Sequence, residues 1–205
     1  MKKRIILLSA LALGLVLVGS LRAAAQTGYA IGTQVAPFTL KTTDGKSVSL
    51  ADFASAKAVV VVFTNPYCPY TKLYEQRLAA LASTGEPLGV RYLFVNPMPG
   101  EKPTNAQQVA ATGSADAMGG LPLYNDDKQT LTKAFGATKT PEAFVLQPAA
   151  GGQFSLRYRG AIDDNPQVAT DVRAAYLRLA VEALSAGRAV PPGDHRAPGC
   201  MIKTF

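Results

Sequence analysis

The chain is poor in the residues that build metal centres and disulfide scaffolds. It has two cysteines, Cys68 and Cys200, and one histidine, His195, among 205 residues. Two cysteines are too few to staple a fold, and the 48% apolar content supplies a core without them. One histidine with no regular ligand spacing argues for a surface tail residue. A copper or zinc site built with both cysteines is the weaker alternative, so no metal and no cofactor is expected. Gly119-Gly120 lacks the strand and helix that a phosphate loop needs. No internal repeat is present, and only the N-terminus holds a long hydrophobic run.

That run, Ile5 to Gly19, follows Lys2, Lys3 and Arg4 and gives way to small residues ending at Ala25. This is the layout of a secretory signal (residues 1–25) cleaved before Gln26, which places the mature protein in the periplasm, the cell envelope or the medium. A retained membrane anchor is the alternative, since Ile5 to Leu21 approaches spanning length. No acidic residue precedes Asp44, and four of the 21 basic residues (Lys2, Lys3, Arg4 and Arg22) fall in the signal. The remaining 17 basic and 14 acidic residues give +3. A balance so mild and dispersed does not imply nucleic acid, so no nucleic-acid partner is expected, nor any stable membrane association once the signal is gone.

What is present centres on Cys68. Lys57 to Phe63 reads KAVVVVF, a β-branched run suited to a strand buried on both faces. Pro69 then fits the first turn of a helix, with Tyr70, Leu73, Tyr74, Leu78 and Leu81 along one face and a stop near Gly85. Cys68 therefore starts the helix, where unpaired N–H groups and the helix dipole favour thiolate, the nucleophilic form. An inert buried cysteine is the plainer reading. Lys72, one turn on, either adds a cation near the sulfur or is a solvated surface lysine.

Elsewhere, residues 26–36 read as an extended or disordered lead-in, and Phe38 to Leu50 as a hairpin around Asp44-Gly45. Val90 to Asn96 is a second buried strand, and a short helix is expected at Asn105 to Thr112. Another helix runs from Asp126 to Phe135. Glu142 to Gln147 and Gln153 to Arg159 form a second hairpin. A long helix spans Pro166 to Ala186 with Val168, Val172, Tyr176, Leu179 and Ala183 as its stripe. Asp163 and Asp164 read as capping residues at its start. A domain at 37–187 thus precedes a tail at 188–205 that carries Cys200, and the element order predicts an α/β fold with a mixed sheet covered by helices. Thr140-Pro141, opening a strand, is where a cis peptide would be placed, leaving the Thr140 backbone open to pair with an extended peptide. Tyr67 and Tyr70 are helix packing or the lining of an apolar thiol pocket.

These pieces resemble the thioredoxin-like superfamily, in its redoxin branch of alkyl hydroperoxide reductase and thiol-specific antioxidant proteins. The matching segments are Phe63 to Tyr70, Thr140 to Glu142, Tyr158 to Asn165 and Gly199 to Lys203. The resemblance implies a thioredoxin-like fold and thiol redox chemistry on a peroxide or a protein disulfide, with a reducing thiol donor as partner. Many relatives carry CxxC, but here the first position is Asn65, so Cys68 matches the second cysteine. Thr64 lies four residues before Cys68 where a peroxiredoxin places its threonine three before, and Thr204 stands where relatives end in tryptophan. A lone thiolate needs a second thiol to release its products. Cys200 is either that distant resolving thiol or half of a permanent disulfide to Cys68. The expected site is thus Cys68 and Cys200 as catalytic thiols, with Thr140, Pro141, Tyr67 and Tyr70 as the binding face. A non-catalytic binding or scaffold protein and a copper-handling module are the alternatives.

Overall fold

A computed structural model describes residues 28–103, 117–193 and 195–204. The expected signal and the short helix at Asn105 to Thr112 lie outside the described residues. Eleven strands are present among those described: β1 (Gln34–Val35), β2 (Thr39–Thr42), β3 (Ser47–Ser49), β4 (Ala58–Phe63), β5 (Val90–Asn96), β6 (Ala117–Met118), β7 (Leu121–Asn125), β8 (Lys139–Thr140), β9 (Glu142–Ala149), β10 (Gln153–Gly160) and β11 (Cys200–Met201). Nine form one sheet in the order β1-β10-β9-β4-β5-β7-β2-β3, with β6 on β7. β4, β5 and β7 run parallel, while β9 runs antiparallel to β4. Among the described residues three α-helices join them: α1 (Pro69–Gly85), α2 (Thr130–Phe135) and α3 (Tyr176–Ser185).

The Val-rich run becomes β4 because both of its faces are covered. Val59, Val61 and Phe63 enter one cluster with Phe144, Leu146 and α2's Phe135. Ala58, Val60 and Val62 enter the other with α1's Tyr74 and Leu78 and α3's Leu177 and Val181. Side chains alternate across a strand, so a strand between two layers must be apolar at every position. Each large side chain so buried stabilises the fold by about 1.5–3 kcal/mol relative to exposure. The mixed sheet between helices is the expected fold class, and the hairpin around Asp44-Gly45 is present as β2–β3. The extended lead-in contributes β1 at the sheet edge, and Tyr29 packs edge-on against Phe135 at 5.2 Å.

Two helical expectations are corrected. In α1 the buried face is Thr71, Tyr74, Leu78, Ala82 and Gly85, while Leu73 is exposed. The long helix at Pro166 to Ala186 shortens to α3. Asn165 Oδ1 accepts the Gln167 and Val168 N–H groups, Asp164 Oδ1 accepts Arg173 N–H, and Val168 and Val172 are extended. These side chains satisfy the backbone locally in place of a helical ladder. Val168 and Leu179 are exposed, whereas Tyr176 packs against the core and Ala183 is buried, so only part of the stripe that suggested a longer helix faces the core. LPLYN, expected only to lead into a helix, is strand β7.

Candidate functional site

Cys68 ends the turn after β4 and is the N-cap of α1, with Pro69 at the first helical position. The turn is held by Asn65, which is fully buried. Its carbonyl accepts Cys68 N–H at 3.0 Å, and its Oδ1 accepts Tyr67 N–H at 2.7 Å. Its amide donates to Glu101 at 2.8 Å. The residue that stands where relatives carry a cysteine therefore shapes the loop in front of Cys68. Tyr67 and Tyr70 flank Cys68 and are half-buried, and Lys72 pairs with Glu75 on the surface at 2.5 Å. Lys72 is thus a solvated ion-pair member and not a cation committed to the sulfur.

Opposite lies the Thr140-Pro141 peptide, which is cis. Both residues are buried, and the Thr140 hydroxyl has no hydrogen-bond partner. Glu142 holds this segment from behind, its Oε2 accepting N–H from Thr138 at 2.8 Å and Lys139 at 3.1 Å. Burial raises the pKa of Glu142, against those bonds and the nearby Arg159, which lower it. The Thr140 backbone is not open. Strand β11 pairs with it antiparallel, Cys200 opposite Thr140 and Met201 opposite Lys139. The tail approaches closely enough that a Cβ on Gly199 would lie 2.4 Å from the Thr140 carbonyl oxygen.

This pairing brings the two cysteines together as a disulfide, with 6.0 Å between Cα atoms across a sequence separation of 132. Cys68 is 3% exposed and Cys200 is half-buried. Cys68 Sγ lies 3.1 Å from the Thr140 carbonyl oxygen. Once reduced, the Cys68 thiol meets two opposed influences. The first-turn N–H groups of α1 favour thiolate, whereas a carbonyl acceptor favours the protonated form.

The metal alternative is not assembled. No group of three His, Cys, Asp or Glu side chains able to hold a metal occurs among the described residues. His195 instead stacks on Tyr176 with ring centroids 3.6 Å apart. Its carbonyl accepts Ala161 N–H at 2.7 Å, and a Cβ on Gly160 (φ +132°) would lie 2.1 Å from that oxygen. The Asp163 reading also changes. Asp163 is buried, accepts from Tyr74 at 2.8 Å and pairs with Arg77 at 2.6 Å, so it ties α1 to the segment after β10.

The residues that sequence reasoning missed are those that hold the tail. Gln129, fully buried at φ 53°, donates to the Lys203 carbonyl at 2.6 Å, and Glu101 binds Lys203 Nζ at 2.8 Å. Neither carries a local signal, because each partner is over 70 residues away. Glu142 alone had one, its place in the TPE segment.

A strand–cysteine–helix unit facing a cis X-Pro strand across a mixed sheet defines a thioredoxin-like redoxin. The chain belongs to the AhpC/TSA family, whose model matches residues 31–168. That span contains Cys68 and stops short of Cys200. Among solved structures, a hypothetical protein from Sinorhizobium meliloti is 29% identical at a TM-score of 0.69, covering 87% of this chain and 96% of that one. An uncharacterized conserved protein from Geobacillus kaustophilus is 31% identical at 0.68, covering 85% and 92%. Peroxidoxin BcpB from Mycobacterium tuberculosis, 18% identical at 0.51 with 78% and 98% covered, shares the fold. No curated protein matches the chain.

Proposed function

We propose that the protein is an exported thiol-dependent oxidoreductase in which Cys68 attacks an oxidant and Cys200 resolves the product. The observation that carries this reading is the Cys68–Cys200 disulfide at the N-terminus of α1. With a hydroperoxide, the Cys68 thiolate displaces alkoxide or hydroxide, which takes up a proton, and Cys68 becomes a sulfenic acid. The Cys200 thiol then forms the disulfide and releases water. With a disulfide, the thiolate displaces one thiolate and forms a mixed disulfide, and Cys200 displaces the other. A dithiol donor returns both cysteines to thiols and leaves as its own disulfide. Either route ends at the bond observed here. Tyr67 and Tyr70, half-buried beside Cys68, form the face the oxidant meets, and the buried Thr140-Pro141 peptide backs the sulfur pair from the opposite side. The basic, apolar and small-residue order of residues 1–25 supports export, and with it an oxidising compartment.

Oxidant consumption with a dithiol donor, followed for wild type, Cys68→Ser and Cys200→Ser, tests the assignment. Turnover in wild type, none without Cys68 and a stalled intermediate without Cys200 is the expected pattern. Turnover indifferent to Cys68 would leave a scaffold with an inert disulfide as the correct reading.

A further inference from the structure

The tail is tied to the domain at more points than its disulfide. Upstream of Cys200, Ala197 is buried and the His195 carbonyl accepts Ala161 N–H. Downstream, Ile202 N–H donates to the Thr138 carbonyl at 3.0 Å, and the Ile202 side chain joins the core cluster that holds Phe135 and Phe144. Lys203 then makes three contacts. Its carbonyl accepts from Gln129, its N–H points at Met98 Sδ at 3.3 Å, and its ammonium pairs with Glu101. Glu101 also receives the Asn65 amide, so one carboxylate links the tail to the loop in front of Cys68.

None of these ties needs the S–S bond. The buried isoleucine and the backbone pairs involve neither sulfur, and they flank Cys200 on both sides. The backbone groups of β8 are already paired by β11. An extended polypeptide seeking to present a disulfide to Cys68 by adding a strand needs those same groups. It competes with a tethered strand whose effective concentration is about millimolar or above. A small oxidant needs no strand. Cys200 is only half-buried while its backbone is paired with β8.

We propose that the C-terminal tail is a resident strand that stays seated at the β8 edge when the disulfide opens. Cys68 then serves small oxidants, hydroperoxides or low-molecular-weight disulfides, and not disulfides carried on extended polypeptide. The inference rests on the thiol chemistry proposed above, and it assigns that site a substrate class.

Two measurements test it together. In the Cys68→Ser, Cys200→Ser double variant, hydrogen exchange at amides 200–203 is expected to be at least about 100-fold slower than in an unstructured peptide. Exchange at the unstructured rate would overturn the proposal. In turnover assays with a dithiol donor, wild type is expected to consume hydrogen peroxide or glutathione disulfide and to leave insulin disulfides nearly untouched. The Ile202→Asp, Lys203→Glu variant keeps Cys200 but unseats the tail. It should raise insulin reduction relative to the small oxidants by at least about tenfold. Insulin reduced by wild type as readily as the small oxidants, or a ratio unmoved by the variant, would equally overturn the proposal. No Cys68-dependent turnover with any oxidant, beside a protected tail, would instead overturn the proposed function.

Discussion

Helix α1 is tied to the C-terminal part of the chain twice, and the two ties are unlike. At its N-cap, Cys68 reaches the tail through a covalent bond that thiols can open. Two turns further on, Tyr74 and Arg77 hold Asp163 in a buried cluster, and Arg77 also donates to the carbonyls of Asn165 and Pro166. Arg77 lies over the Tyr74 ring at 4.2 Å, and burial together with the Asp163 carboxylate keeps the Tyr74 phenol protonated well above its ordinary range. A tie meant to open in a reaction cannot also be the one the fold depends on. The ionic cluster involves neither sulfur, so under the proposed function it would hold the helix while the bond at its mouth opens.

Substitutions at the two ties should have separable effects. The largest effect belongs to Cys68→Ser, which should abolish thiol-dependent oxidant turnover while circular dichroism stays native. Next, Cys200→Ser should lower the unfolding free energy under oxidising conditions by up to about 5 kcal/mol, the chain-entropy figure for so long a loop. Under reducing conditions its denaturation curve should coincide with that of wild type. Curves that coincide without reductant would mean the bond adds no stability.

Arg77→Met strands the buried Asp163 carboxylate and should cost about 3 kcal/mol in urea denaturation, equally in oxidised and reduced protein. A loss confined to one redox state would mean that the two ties are coupled. The smallest effect concerns Glu142. Its folded pKa is raised by burial, so the folded state binds the proton more tightly than the unfolded chain. Its contribution to stability must therefore fall as pH rises from the ordinary carboxylate range through the raised folded value. Glu142→Gln should remove that part of the acid-side slope.

The sequence made local features legible and left distant ones hidden. β4 announces itself because burial on both faces demands an unbroken apolar run, and β5 because Tyr92 to Val95 is apolar. Cys68 is marked by its place between that run and Pro69. β8 and β11 have two residues each, too few for any periodicity, and exist because they find each other across the fold. β7 contains Pro122, which argues against a strand by composition, yet it pairs with β5 through Leu123 to Asn125. The stripe assigned to a long helix misled because Asn165 and Asp164 take backbone N–H groups that a helix would have used. Cys200 as a partner came from a family-like ending, whereas Glu101, Gln129 and Lys203 act over distances that no window can span.

Under the proposed function the Cys68–Cys200 disulfide is a product of turnover. Fully reduced protein treated with one equivalent of hydrogen peroxide, quenched with an alkylating reagent and mapped by mass spectrometry, addresses this directly. Loss of both thiols and recovery of a Cys68–Cys200 linked peptide, at a rate that falls to background in Cys68→Ser, is the result predicted. Both cysteines recovered alkylated after the peroxide is exhausted, or Cys200 oxidised ahead of Cys68, would contradict it.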